Sequence, residues 1–243
     1  MKKAAIIIPS RLGAKRFPNK PLAMINDIPM IVHVFNRAKE SNVGEVYVAT
    51  PDEKIIKAIT KSGGNALITK SDHLSGSDRV YEAYIKKLQN DVDLIVNLQG
   101  DMPNIKPETI KYLVELMKNN DCDIGTLASN IKEKEELHDE NVVKVQVEKE
   151  LKENEFLKAK DFFRTTKELS GKKIYHHIGI YAFTKDALTK YVNLARSRLE
   201  IERNLEQMRA MENDFIIKVG LSEFSPLGVD TENDLKKLIK EMN

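Results

Sequence analysis

The segment Ala4-Ala5-Ile6-Ile7-Ile8-Pro9-Ser10-Arg11-Leu12-Gly13-Ala14-Lys15-Arg16-Phe17-Pro18-Asn19-Lys20-Pro21-Leu22 turns abruptly from apolar to cationic. Five aliphatic residues in succession, bounded by a proline, have the length and composition of an interior parallel strand, buried on both faces. Arg11, Lys15, Arg16 and Lys20 follow, punctuated by Gly13, Pro18 and Pro21. Such a segment cannot extend the strand and makes a poor helix, so it reads as a shaped loop. Ligands of open α/β sheets sit beyond the carboxyl ends of the strands, which makes a phosphate chain the obvious partner of these four cations. With one glycine and no Lys-Ser/Thr pair, the loop is not a Walker loop. Side-chain charge, more than a glycine nest, would hold the phosphates. A solvated basic turn is the competing reading.

Downstream, strand and helix alternate. A helix opens at Pro29 and carries Met30, Ile31, Val34, Phe35 and Ala38 on one side, with His33 on its wet flank. Val46–Ala49 reads as a strand, Asp52 as the cap of a helix bearing Ile55, Ile56 and Ile59, and Gly63-Gly64 as its stop. Leu67–Thr69 and Leu94–Leu98 are further strands, separated by a helix with Val80, Tyr81, Tyr84 and Leu88. This order implies crossover connections and a parallel sheet covered on both faces.

The 243 residues are 41% hydrophobic, enough for a proper core, and carry 39 basic against 37 acidic side chains for a net charge of +2. We expect a single domain over 1–243, in which residues about 130–175 form an arm. No run of five like charges occurs, which argues against nucleic acid as a main partner. Apolar runs are too short for a membrane span and the N-terminus does not resemble a signal peptide, so a cytoplasmic protein without membrane association is expected. Cys122 is the lone cysteine and reads as structural filler.

Asp101 follows the Leu94–Leu98 strand in Gln99-Gly100-Asp101-Met102-Pro103, where it is either a carboxylate for a hard cation or a turn carboxylate bonded to nearby backbone. Asp230 lies at a second junction, before a helix whose Thr231 and Asp234 have capping-box spacing, and could complete a two-carboxylate site with Asp101. Val142–Val147 alternates as a half-exposed strand of the arm, whose open edge a second subunit could cover. His176 and His177 are neighbours on a strand and so point to opposite faces. Thr184 caps a helix running through Leu188 and Val192. One helix is expected from about Leu199 to Glu212, with Ile201, Leu205, Met208 and Met211 as its buried stripe and Glu206 and Gln207 on the opposite side.

Several of these motifs together resemble the 3-deoxy-manno-octulosonate (KDO) cytidylyltransferases over nearly the whole chain. They are Ile8-Pro9-Ser10-Arg11 with Arg16, Pro18 and Lys20-Pro21-Leu22, then Ser75-Gly76-Ser77-Asp78-Arg79, and Val96–Asp101. His177-Ile178-Gly179-Ile180-Tyr181, Leu205–Arg209 and Gly228-Val229-Asp230-Thr231 complete the set. The resemblance implies an α/β, Rossmann-like nucleotide-diphospho-sugar transferase fold: a mainly parallel mixed sheet with helices on both faces and a small dimerisation arm, hence a homodimer. It also implies CTP and KDO as substrates and Mg²⁺ as the cofactor. Carried over by position, Arg11 and Lys20 would hold the triphosphate and Asp101 and Asp230 the metal. Ser10, Ser75, Arg79 and Gln99 would lie near the nucleotide, while Arg164, His177, Tyr181, Glu206 and Gln207 would line the sugar-acid pocket. The chain departs from the family in Met102, where an acidic residue is usual, and in the residues following Arg164.

The reaction so implied is attack of the sugar acid's anomeric hydroxyl on the α-phosphorus of CTP, with loss of pyrophosphate, giving CMP-KDO for lipopolysaccharide synthesis. Alternatives are a cytidylyltransferase for 8-amino-KDO or a sialate, or a glycosyltransferase of the same fold. For the last, Asp121-Cys122-Asp123 supplies an Asp-x-Asp string, though it precedes its strand instead of following it.

Overall fold

In the computed structural model, which describes residues 2–13, 16–89, 91–165 and 173–242, strand β1 (Ala4–Pro9) takes the interior place its composition predicts. A short hairpin, β2 (Met24–Ile25) and β3 (Ile28–Pro29), leads into helix α1 (Met30–Glu40). Then come β4 (Gly44–Thr50), α2 (Glu53–Lys61), β5 (Asn65–Ile68), α3 (Gly76–Lys87) and β6 (Leu94–Leu98). Helix α4 (Pro107–Asn119) follows. The chain divides into two compact units, Met1–Lys111 with Pro226–Asn243 and Tyr112–Ser225.

In the first unit the four longer strands are parallel in the order β5-β4-β1-β6. Ile6 sits opposite Val46 on one side and Val96 on the other. Ile6, Ile7 and Ile8 are fully buried, each worth about 1.5–3 kcal/mol over exposure. From β1 the chain moves outward to β4 and β5, then crosses through α3 to β6 on the other flank of β1. The order therefore reverses between β1 and β6, the place where open α/β sheets bind ligands. Helix α1 buries the predicted face. His33, expected in solvent, is instead half-buried and bonds the Ile25 carbonyl through Nε2 at 2.9 Å, because the hairpin folds back over the helix flank. Gly63, at φ 71°, follows α2 in the left-handed region that stops a helix.

The second unit contains β7 (Ile124–Ser129), β8 (Lys144–Val147), β9 (Phe156–Phe163) and β10 (Lys173–Thr184). It continues with α5 (Lys185–Val192), α6 (Arg198–Arg203), α7 (Met208–Met211) and β11 (Ile217–Leu221). Its strands run β10-β7-β11-β9-β8, and β8 pairs again with β10, so the ladder closes on itself. Thr184 caps α5 by accepting from the Ala187 N–H, as its position suggested. Helix α8 (Glu232–Met242) returns to the first unit.

Two expectations fail here for physical reasons. Strand β8 is not half-exposed and has no open edge, since β9 and β10 flank it. Its Lys144 is 0% exposed, with Nζ donating to the carbonyls of Asp139, Val142 and Arg164 at 2.6, 2.8 and 2.5 Å. Nor is there one helix over 199–212. Asn204 adopts the left-handed region (φ 51°) and separates α6 from α7. Ile201 is 59% exposed, whereas Gln207, placed on the solvent side by a continuous helix, is only 7% exposed. The buried position expected of an apolar residue goes to Glu200, whose carboxylate receives Arg209 in a two-bond fork, Nε–Oε2 2.8 Å and Nη2–Oε1 2.7 Å.

Candidate functional site

At the reversal between β1 and β6 lies a cavity of about 250 Å³. Residues after β1 (Ser10, Arg11), after β6 (Gln99, Gly100, Asp101) and at the start of α3 (Ser75, Gly76, Arg79) line it, with Lys20 and Pro21 of the cationic loop and His73 and Leu74. The chain packs closely at Gly100, where a Cβ would crowd Ile31 Cδ1 at 3.1 Å and the Pro9 carbonyl oxygen at 3.3 Å. Ser75 accepts from the Asp78 N–H in a capping box that fixes the first turn of α3.

The cationic loop is held from three sides. Asp52 stands at the N-cap of α2, yet its side chain does not cap that helix. Its Oδ2 accepts from the Leu12 N–H at 2.9 Å. Asn19 turns the chain at φ 58°. Phe17 packs with Ile25, Met30, Val229 and Leu238 in an apolar cluster that brings the Asp230 segment beside the loop. The Val229 N–H donates to the Asp101 carbonyl at 2.9 Å, tying the two acid-bearing turns together. The Thr231–Asp234 capping box forms, with Asp234 accepting from the Thr231 N–H at 2.8 Å.

Lys20 Nζ reaches both carboxylates, Asp101 Oδ2 at 2.9 Å and Asp230 Oδ1 at 3.4 Å, while Arg16 Nη2 pairs with Asp230 Oδ2 at 3.0 Å. Lys15 lies outside the described residues. Two carboxylates converging on one ammonium are a donor set that fits a hard divalent cation whose remaining positions water and phosphate oxygens fill. Among the described residues no group of three or more His, Cys, Asp or Glu side chains could hold a metal by itself. Met102, where the family's acid would stand, is buried.

Ser10 is 7% exposed, and its buried hydroxyl is without a hydrogen-bond partner among the described residues. A buried, unpaired hydroxyl lining a cavity is a group that a ligand would satisfy. Gln99 Nε2 donates to Asn97 Oδ1 at 3.1 Å, and Asn97 Nδ2 to Ser77 Oγ at 3.3 Å, so Gln99 has its carbonyl oxygen left as an acceptor. Arg79 is buried and uses its guanidinium on Thr69 Oγ1 (2.6 Å) and the Lys70 carbonyl (2.8 Å). Burial and the nearby Arg11 charge push its pKa down.

In the second unit β10 carries His177 and Tyr181 with ring centroids 5.4 Å apart, across a bulge between Ile178 and Tyr181. Thr126 Oγ1 lies 2.7 Å from the Ile180 carbonyl and 2.9 Å from His177 Nε2. The hydroxyl donates to the carbonyl, and its oxygen accepts from Nε2–H. Burial, with a smaller push from His176, lowers the His177 pKa to about 3, so the ring is neutral near pH 7. Burial and the Glu206 carboxylate raise the Tyr181 hydroxyl. His176 faces away, with Nδ1 2.7 Å from Glu136 Oε2. Arg164 lies on another cavity of this unit, with Asp161 and Arg203, and donates to the Glu140 carbonyl at 2.9 Å. Asp123 of the Asp-x-Asp string accepts from the Ile216 N–H at 2.8 Å and serves as a turn carboxylate.

Reading the sequence missed His73 and Leu74 in the first cavity. The available signal was their place immediately before the Ser75 cap. It also missed the Glu200–Arg209 pair, signalled only by the capping-box spacing of Ser197 and Glu200.

The family described as cytidylyltransferase matches residues 5–219. A 3-deoxy-manno-octulosonate cytidylyltransferase of Bartonella tribocorum is 44% identical over 236 residues, 97% of this chain and 96% of that protein. The enzyme of the same name from Brucella ovis is also 44% identical, over 97% and 94% of the two chains. A solved structure of CMP:2-keto-3-deoxy-manno-octonic acid synthetase complexed with CTP superposes with a TM-score of 0.89 at 35% identity, covering 99% of this chain and 98% of that one. The expected α/β transferase fold is borne out.

Proposed function

This chain belongs to the cytidylyltransferase family, and from that membership we propose that it transfers CMP from CTP to the anomeric hydroxyl of 3-deoxy-manno-octulosonate, releasing pyrophosphate. The observation that carries the reading is the cavity between β1 and β6, where Arg11 and Lys20 meet Asp101 beside an unpaired Ser10 hydroxyl. Arg11, Arg16 and Lys20 would bind the triphosphate, with Ser10, Ser75, Arg79 and Gln99 around the nucleoside. Arg79 would act mainly through the Thr69–Lys70 backbone that it holds.

Asp101 and Asp230 would hold Mg²⁺, which when bound offsets phosphate charge and acidifies a coordinated hydroxyl. Lys20 would then turn from the two carboxylates to the phosphates, so its charge follows the negative charge that grows on pyrophosphate. In the second unit, neutral His177 and the Tyr181 hydroxyl would bond sugar hydroxyls alongside Glu206 and Gln207, with Arg164 a candidate for the sugar carboxylate.

The test is pyrophosphate release from CTP and Mg²⁺ with KDO, 8-amino-KDO and a sialate in parallel. We expect release with KDO above the other two. Release with none of the sugar acids overturns the reading, and a preference for another acid replaces the substrate. A homodimer belongs to the reading on family grounds alone, because β8 offers no open edge. Sedimentation at micromolar concentration should give twice the chain mass, and a monomer removes the dimer from the reading.

A further inference from the structure

Segment 69–75, between β5 and α3, forms one wall of the first cavity and contributes His73, Leu74 and Ser75 to it. Two residues one turn apart on α3 hold this wall. Arg79 donates to the Lys70 carbonyl, and Glu82 Oε2 accepts from the Lys70 N–H at 2.9 Å, so side chains pin both backbone groups of Lys70. The same Glu82 oxygen is bonded to His73 Nε2, and Lys86 Nζ lies 2.6 Å from the other oxygen. Burial would raise the Glu82 carboxyl, yet the hydrogen bonds from Lys86, His73 and Lys70 hold it down at about 2, so it is a carboxylate at neutral pH.

A carboxylate on Nε2 holds a hydrogen at that nitrogen, which in the neutral tautomer leaves the lone pair at Nδ1. Within the described residues Nδ1 has no hydrogen-bond partner. Lys20 and Asp101 line the same cavity, and a triphosphate belongs beside them by charge. On that reading, His73, Leu74 and Ser75 are the lining residues available to the nucleoside. Leu74, 83% exposed, would gain apolar contact with a base there.

We infer that Glu82 is a positioning residue for base selection. It fixes His73 so that Nδ1 accepts from the exocyclic amino group of cytosine and opposes the carbonyl oxygen that uracil carries at the same place. The inference rests on the reading of this cavity as the nucleotide site. It gives a role to a histidine and a glutamate that the phosphate and metal contacts leave unused.

Calorimetric titration with CTP and with UTP, without sugar acid, separates the two readings because it needs no turnover. His73→Ala and Glu82→Ala should each weaken CTP binding about tenfold and UTP binding less than about twofold, the size of one lost hydrogen bond. The double variant should lose no more than His73→Ala, since both act through one nitrogen. Glu82→Gln, which still accepts from Nε2–H, should recover most of the CTP preference. A CTP-to-UTP ratio unchanged from the parent in His73→Ala overturns the inference, as does a Glu82→Gln variant that is folded yet no better than Glu82→Ala. If Glu82→Ala does not fold, His73→Ala and Glu82→Gln still decide. A parent that binds CTP but releases no pyrophosphate sinks the proposed activity and leaves base selection to be judged by these titrations. A parent that binds neither nucleotide sinks both.

Discussion

Asp101→Asn should lower turnover by about a hundredfold or more while the protein stays folded, as removal of a group that stabilises transition-state charge generally does. The replacement is isosteric, and Asp101 is a partly exposed member of an ion pair with Lys20, so its stability cost should be below about 1 kcal/mol. The loss is therefore to be read in catalysis. It also has a signature that general damage lacks. Lys20 is shared between Asp101 and Asp230, and neutralising one acid frees its ammonium for phosphate. Without divalent cation, CTP should bind the variant at least as tightly as the parent, while turnover with saturating Mg²⁺ collapses. Asp230→Asn should behave alike. Pyrophosphate release and CTP titration check both halves, and unchanged turnover at saturating Mg²⁺ would falsify the two-carboxylate site.

Glu200→Ala should have the largest effect on stability, about 3–5 kcal/mol, because it strands a buried guanidinium. Arg209 is as buried as Glu200 and sits over the Tyr191 ring at 4.7 Å. That is a large share of the roughly 5–15 kcal/mol that keeps a domain folded. Arg196 adds a third bond to the same carboxylate at 2.9 Å. Burial by itself would raise the Glu200 carboxyl, but the hydrogen bonds from Arg209 and Arg196 lower it below the usual carboxylate range. A depressed folded value contributes stability above the unfolded value, and that contribution is lost as pH falls through the folded one. The urea midpoint of the parent should therefore drop with acidification more steeply than that of Glu200→Ala. Equal midpoints for the two proteins at pH 7 would show that the pair contributes nothing.

The elements that were legible in the sequence are those in which burial and periodicity agree. β1 is an apolar run and β6 is one interrupted only by Asn97, and the cation-rich segment after β1 could only be a loop, so the site's first wall followed from residues 4–20. Lys144, Glu200 and Arg209 were not legible. In a sequence a buried charge looks the same as a solvated one, and only the partner's approach in space tells them apart. Helical periodicity across 199–212 likewise ignored Asn204, one of the few residue types that tolerates the left-handed region. The clamp of Arg79 and Glu82 on Lys70 was invisible for a related reason. Arg79 carried a plausible direct role, and nothing in the spacing shows that its guanidinium turns back to the backbone.

Asp52 shows where this protein's design is under tension. A residue at an N-cap ordinarily strengthens its own helix by about 1 kcal/mol, and Asp52 forgoes this to anchor Leu12. Selection for heat resistance alone would favour a side chain at this position that turns back onto α2, and would release the loop that carries Arg11 and Lys20. Selection for activity favours the arrangement observed. Position 52 is thus one at which a consensus-guided or thermostabilising library should return variants that melt higher and work less well, the trade between rigidity and function expressed at a single carboxylate.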